Sequence, residues 1–316
     1  MKNQKKKMSL TQFFVIYIAI LALILICVSA CTGSRSSSNT KVLESASPSS
    51  ATATPSGTDS DISPTDDNPI AADPTADQPV QTPVPGPSGA TGTVTAPTNS
   101  SGSLSGLKIA IDPGHQAHAP EGKETMAPWS SETKAKNTSG TRGDTTGTDE
   151  YLVNLQIGLK LRDALVAEGA TVVMTRDNND TSLSNQDRAN ISNSNNVDII
   201  ISIHCNGSDN TSVNGTEVYS RGSGDGSSEY AARSAAEAKL AEKLVNAITA
   251  STGSKNRGAK LSDNYTGINY ANAPCFIVEC GFLSNPEEDK NLCDSGYQDK
   301  IVAGIKNFLA ENKNSL

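Results

Sequence analysis

The chain has three histidines, and two of them stand where apolar runs stop. His115 follows the run Leu107-Lys-Ile-Ala-Ile-Asp112 across a Pro-Gly turn, and His204 ends a β-branched run over residues 197–204. Glu279 closes a third run, Cys275-Phe-Ile-Val-Glu279, and Glu150 heads a segment with helical spacing. Imidazoles and carboxylates bind divalent metals and move protons near neutral pH. Each residue also has a quieter reading. A His at a strand end is commonly a hydrogen-bonded core residue, and Glu150 suits a helix first turn, where the dipole favours an acid. Glu279 is harder to set aside, because a carboxylate that interrupts an apolar strand needs a partner, a metal or a proton. Spacing alone leaves a metal site and a polar core open.

The elements around these residues must position them. Residues 107–112, 171–175, 197–204 and 275–279 read as buried strands, and residues 216–219 as an edge strand. Leu152, Leu155, Leu159 and Leu165 recur at helical spacing, and Gly169 sits where a C-cap glycine belongs. Further helices are predicted at residues 184–192, 227–252 and 301–309. Residues 116–149 are rich in Gly, Thr and Ser and read as irregular loop. Strands alternating with helices predict an α/β fold: one domain with a mostly parallel central sheet flanked by helices. In such sheets ligands bind at the carboxyl edge, where both histidines and Glu279 fall.

Composition divides the 316 residues into three. Residues 32–105 hold ten of the fifteen prolines and no Phe, Tyr or Trp, so they predict a disordered linker reaching about 50 Å as a flexible coil. Residues 106–316 then form the folded domain. The net charge of −8 and the lack of a basic run argue against nucleic acid as a partner. Residues 1–31 read as an export signal: Lys2, Lys5, Lys6 and Lys7 precede an apolar run over residues 13–30. Its end, Val28-Ser29-Ala30-Cys31, resembles the bacterial lipoprotein signal, which makes Cys31 the lipidation site. An uncleaved transmembrane anchor is the alternative. Either one attaches the chain to the membrane and leaves residues 32–316 outside the cytoplasm.

The order of motifs is similar to that of the zinc N-acetylmuramoyl-L-alanine amidases. It runs through Ile109-Ala-Ile-Asp-Pro-Gly-His115, Glu150 with Asn154-Leu-Gln-Ile, Thr175-Arg176, Leu183 with Arg188, Ile201-Ser-Ile-His-Cys-Asn206, Asn256-Arg-Gly258 and Val278-Glu-Cys-Gly-Phe-Leu-Ser-Asn285. The resemblance spans residues 107–310. It implies that His115, Glu150 and His204 bind zinc, that Glu279 is the catalytic acid–base, and that Asn206 and Arg257 lie near substrate. Asp112 and Arg188 would support the site. The implied substrate is peptidoglycan, cut between muramic acid and L-alanine. Another exported zinc peptidase acting on wall peptides, and a non-catalytic wall-binding lipoprotein, are the competing functions.

The loop over residues 116–149 is longer than the resemblance leads one to expect. It carries His118, Glu121, Glu124, Glu132 and the single Trp, Trp129. It could wall a substrate groove with Trp129 against sugar or peptide, cover the metal until an activator protein moves it, or be a bare surface loop. Cys205 and Cys280 each follow a site residue. Because side chains alternate along a strand, both thiols should face away from the metal as a buried apolar pair, with a disulfide the lesser option. No spacing dictates a pairing among Cys205, Cys275, Cys280 and Cys293.

Overall fold

A computed structural model describes residues 92–316. The export signal, Cys31 and the linker up to residue 91 lie outside the described residues. No helix among the described residues is long and apolar enough to cross a membrane.

Among the described residues nine strands and six α-helices follow in order: β1 (Thr93–Thr95), β2 (Lys108–Pro113), β3 (Lys123–Thr125), β4 (Thr133–Ala135), α1 (Glu150–Ala167), β5 (Thr171–Met174), α2 (Asn185–Ser194), β6 (Ile199–Asn206), β7 (Thr216–Arg221), α3 (Ser228–Thr252), β8 (Asn256–Ser262), α4 (Thr266–Tyr270), β9 (Cys275–Phe282), α5 (Pro286–Cys293) and α6 (Ser295–Asn312). Seven strands form one sheet in the order β1-β5-β2-β6-β9-β7-β8, and β3 with β4 makes a separate hairpin. The α/β prediction holds, but the sheet is mixed. β1 is antiparallel to β5 and β7 antiparallel to β9, while the other neighbours run parallel.

Two corrections concern the sheet. β7 is an interior strand, not an edge, because β8 pairs beyond it. The domain also begins earlier than Gly106. Residues 93–95 pair with β5, and Leu104 is wholly buried among Leu165, Val166 and their neighbours. Between Pro97 and Pro113 the chain has no proline, so this end of the proline-rich stretch can pack.

The helix ends follow local chemistry. Ser184 and Asp187 close a capping box at α2, and Ser227 caps α3. Gly169 takes φ +92° just past α1, the left-handed conformation that needs no Cβ. Asn285 caps α5 ahead of Pro286 at its first turn.

The sheet has two unlike faces. On one, α1, α3, α5 and α6 bury Ile109, Ile111, Ile201, Ile203, Phe276 and Val278 in the main core. Each such side chain contributes about 1.5–3 kcal/mol when fully buried. On the other, α2 and α4 cover a smaller core around Ala110, Ile200, Tyr219, Tyr265 and Ile277. That smaller core stops short of the carboxyl ends of β6 and β9, which leaves room for polar side chains.

Candidate active site

The first element of the site is the turn after β2. His115 has φ +58°, a left-handed conformation that costs a non-glycine residue about 1–3 kcal/mol unless its surroundings enforce it. Two buried guanidiniums enforce it. Arg188 donates to the carbonyls of Pro113 and His115 (2.8 Å each) and to Gln116 Oε1 (2.8 Å). Arg176 donates to Pro113 O (2.7 Å), Gly114 O (2.9 Å) and Tyr151 O (2.8 Å). Asp112 anchors this frame, accepting from Arg188 (2.7 Å), Thr175 (2.6 Å) and Ser202 (2.7 Å). Burial works against its ionisation, but Arg188 and the hydroxyls win and hold its carboxyl at about 2.

His115 Nδ1 lies 3.1 Å from the backbone carbonyl of Thr138. A carbonyl only accepts, so an Nδ1 proton is what can meet it, while the Thr138 hydroxyl, also 3.1 Å from Nδ1, can give or take; the other ring nitrogen, Nε2, is left for the site. That Nε2 faces Glu150 Oε2 at 3.4 Å, and His204 Nδ1 faces Glu150 Oε1 at 3.2 Å. The two rings meet edge to face, with centroids 4.8 Å apart. Glycine is required at two close approaches. A Cβ on Gly114 would come within 2.2 Å of the His204 ring, and one on Gly140 within 2.5 Å of Glu150 Oε2.

Glu150 opens α1, where the helix dipole favours its charge. Its oxygens accept from Thr141 N (2.9 Å), Asn154 Nδ2 (3.1 Å) and Cys205 N (3.0 Å). Burial opposes the carboxylate, yet His115, His204 and these bonds hold its pKa at about 2. The ligand atoms of His115, Glu150 and His204 all lie within 4.8 Å of one another. Around a tetrahedral zinc with bonds of roughly 2.0–2.1 Å, neighbouring ligands stand about 3.3 Å apart. The donor set fits such an ion in type, and its two pairings, His115 with Glu150 at 3.4 Å and His204 with Glu150 at 3.2 Å, are close to that spacing.

Glu279 is paired with His204 in the β6–β9 register and is buried. The four residues singled out by spacing therefore converge. Cys205 and Cys280 point the other way into the main core, as side-chain alternation requires. They contact each other as free thiols, and burial pushes the Cys205 thiol far above its usual pKa. Cys275 and Cys293 are free as well.

Asn206 and Arg257 are joined by a residue the sequence reading passed over, Glu217 on β7. Glu217 accepts from Asn206 Nδ2 (3.0 Å), Tyr219 OH (2.9 Å), Arg257 Nε (2.8 Å) and Lys260 Nζ (3.0 Å). It sits opposite Glu279 across the β7–β9 pairing. The available signal was an acid inside Thr-Glu-Val-Tyr, where a strand is otherwise apolar.

The long loop is ordered. Its β3–β4 hairpin is fastened to α2 and to the segment around α4, by Thr125 with Tyr270 (2.6 Å), Asn269 with Met126 O (3.0 Å), Lys134 with Asn264 O (2.9 Å) and Asn185 N with Lys136 O (2.8 Å). A cavity of about 50 Å³ lies beneath it, bordered by His115, His204, Lys134, Asn137 and Tyr265. Trp129 packs on Tyr230 at 4.8 Å and does not border that cavity. His118 is exposed on the loop. The loop also contains Thr138 and Thr141, which hold His115 and Glu150.

Comparison with known proteins agrees with this geometry. The profile of the N-acetylmuramoyl-L-alanine amidase family matches residues 109–311. The chain is 32% identical over 200 residues to the N-acetylmuramoyl-L-alanine amidase LytC of Bacillus subtilis, covering 63% of this chain and 34% of LytC. It thus spans about a third of that relative's length. It is 30% identical over 207 residues to the uncharacterized protein YqiI of the same organism, covering 65% of this chain and 93% of YqiI. Among solved structures it resembles the N-acetylmuramyl-L-alanine amidase Ami1 of Mycobacterium smegmatis, with a TM-score of 0.58 and 26% identity, over 66% of this chain and 99% of that one.

Proposed function

This chain belongs to the N-acetylmuramoyl-L-alanine amidase family, and from that we propose a peptidoglycan hydrolase that cuts between the lactyl group of muramic acid and the L-alanine of the stem peptide. The observation that carries the reading is the convergence of His115, Glu150 and His204 with Glu279 beside them. We assign the first three as zinc ligands. Zinc held there would polarise the scissile carbonyl and make a water acidic enough to attack near neutral pH.

The chain's own groups do the rest. Glu150, ionised far below neutral pH, is ready as a ligand without first losing a proton, and His115, held at Nδ1 by Thr138, turns its Nε2 toward the same place. Glu279 takes the proton from the attacking water and delivers it to the departing alanine nitrogen. Its place on a buried strand holds the carboxylate in one position while both transfers occur.

The test is mass spectrometry of purified peptidoglycan treated with the full-length protein, with and without chelator, beside Glu279→Ala. Released peptides that begin with alanine, together with free lactyl carboxylates on the glycan, are the expected products. Cuts inside the stem peptide would make the protein a peptidase instead. Zinc content gives a second readout: His115→Ala should lower bound zinc well below one per chain. Wild-type protein that retains no zinc would sink the ligand assignment.

We also infer that the chain is lipid-anchored at Cys31 and acts on the outer face of the membrane and in the wall. The lipobox-like Val28-Ser29-Ala30-Cys31 and its basic, apolar lead support this. Cys31→Ala should abolish labelling by a radioactive fatty acid. Unchanged labelling would rule that cysteine out.

A further inference from the structure

His115 and Glu150 are steadied from a loop as well as from the sheet. The carbonyl and the hydroxyl of Thr138 each stand 3.1 Å from His115 Nδ1, and Thr141 N donates to Glu150 Oε2 at 2.9 Å. Both threonines belong to the irregular stretch that leads into α1. Irregular backbone on a surface moves more than the elements it joins, so contacts of this length need an anchor.

Asp289 on α5 supplies it. The residue is wholly buried. Its Oδ2 accepts from the backbone amides of Thr145 and Thr146 (2.7 Å each) and its Oδ1 from the Thr146 hydroxyl (2.7 Å), with the Cys293 thiol further off at 3.9 Å. Burying a carboxylate is costly unless its bonds offset the lost water, and all three short bonds go to this one loop. The fit is tight: a Cβ on Gly143 would come within 2.2 Å of Oδ1. Backbone bonds carry the anchor toward the site. Asp144 N donates to Leu283 O (3.2 Å), Gly143 N to Thr148 O (2.9 Å), Gly147 N to Gly143 O (2.9 Å) and Glu150 N to Thr141 O (2.9 Å). Because α5 follows β9, Asp289 also ties this loop to the strand that carries Glu279.

We propose that Asp289 is a positioning residue for the metal site, acting through residues 138–149 on His115 and Glu150. This rests on the zinc-ligand reading above. Asp289 touches neither metal nor substrate; it fixes the loop that aims two ligands.

The experiment measures the zinc affinity of the full-length protein by competition with a chromogenic chelator, together with amide hydrogen exchange over residues 138–149. Asp289→Ala should weaken zinc binding about tenfold. The amides of Thr141, Thr145 and Thr146 should exchange faster. Asp289→Asn can keep both amide bonds through its carbonyl oxygen and turn its NH2 to the Thr146 hydroxyl, so it should restore most of the affinity. A merely structural role would lower the melting temperature and leave the zinc Kd of the folded protein unchanged, and that result would overturn the proposal. Thr146→Val removes the hydroxyl bond at an exposed position and covers the case in which Asp289→Ala does not fold. It should weaken zinc binding about threefold, and an unchanged Kd there would overturn the proposal too. Wild-type protein that binds no zinc would bring down the ligand reading itself. Wild type and Asp289→Ala that bind zinc equally well would remove the positioning role alone.

Discussion

β6 and β9 present opposite worlds on their two sides. Toward α1, α3 and α6 they turn Ile201, Ile203, Cys205, Phe276, Val278 and Cys280, all nearly or wholly buried among apolar neighbours. One residue out of phase, they turn Ser202, His204 and Glu279 toward the polar edge of the other face. Backbone, register and burial are shared, so the difference lies in what each side is for. The apolar side contributes the free energy that offsets buried charges on the other. Glu150, Glu217 and Glu279 are buried and Asp112 is 14% exposed, and together they would be unaffordable without it.

Substitutions on the two sides should therefore separate activity from stability. The largest effect expected is on the polar side: Glu279→Gln should lower kcat by about 10²–10⁴-fold. The denaturation midpoint should stay near the wild type, because the amide keeps the shape. A stability loss as large as the activity loss would undo the contrast. Next comes Phe276→Ala on the apolar side, which should cost about 3–5 kcal/mol in denaturant melts. The folded fraction should keep its kcat/KM within about threefold.

Asp112→Ala should fall between the two, because Asp112 belongs to the frame rather than to either side. It leaves Arg188 buried without its carboxylate, at a cost of roughly 3 kcal/mol, and loosens the His115 turn, so activity and stability should fall together. The pH dependence follows from Asp112's depressed pKa, about 2 against an ordinary 3.8. A carboxyl depressed on folding stabilises fully above its unfolded value and loses that contribution as pH falls through the folded one. Wild-type stability should thus drop between about pH 4 and pH 2, and the Ala variant should show a shallower drop across that window. Smallest is Trp129→Ala, which should cost about 1 kcal/mol through the lost Tyr230 stack and leave turnover unchanged. A marked rise in KM would instead return Trp129 to the substrate groove.

Much of the candidate site was legible because it is local. His115, His204 and Glu279 stand at the ends of apolar runs, and Glu150 heads a helix, so sequence order placed them at one edge. The two thiols followed from period-two alternation alone. What stayed hidden depends on distant partners. Glu217 reads as an ordinary acid until β7 is known to lie between β9 and β8, and β8 itself, Asn-Arg-Gly-Ala-Lys-Leu-Ser, has little strand character without its neighbour. The hairpin within residues 116–149 is fixed by bonds to residues near 185 and 264–270, which no local window contains. β1 hid for the same reason: three residues become a strand only because β5 offers an edge.

That last feature has a mechanical reading. The described chain enters the domain through a three-residue ribbon at one margin of the sheet, backed by Leu104 under α1. Tension arriving from that end loads the antiparallel β1–β5 ladder first, while His204 and Glu279 sit on strands further in and Lys260 on the opposite margin. A pull applied at Thr93 would therefore open a few backbone bonds at the sheet's margin before it reached the strands that carry His204 and Glu279, so this corner is where the fold would yield first.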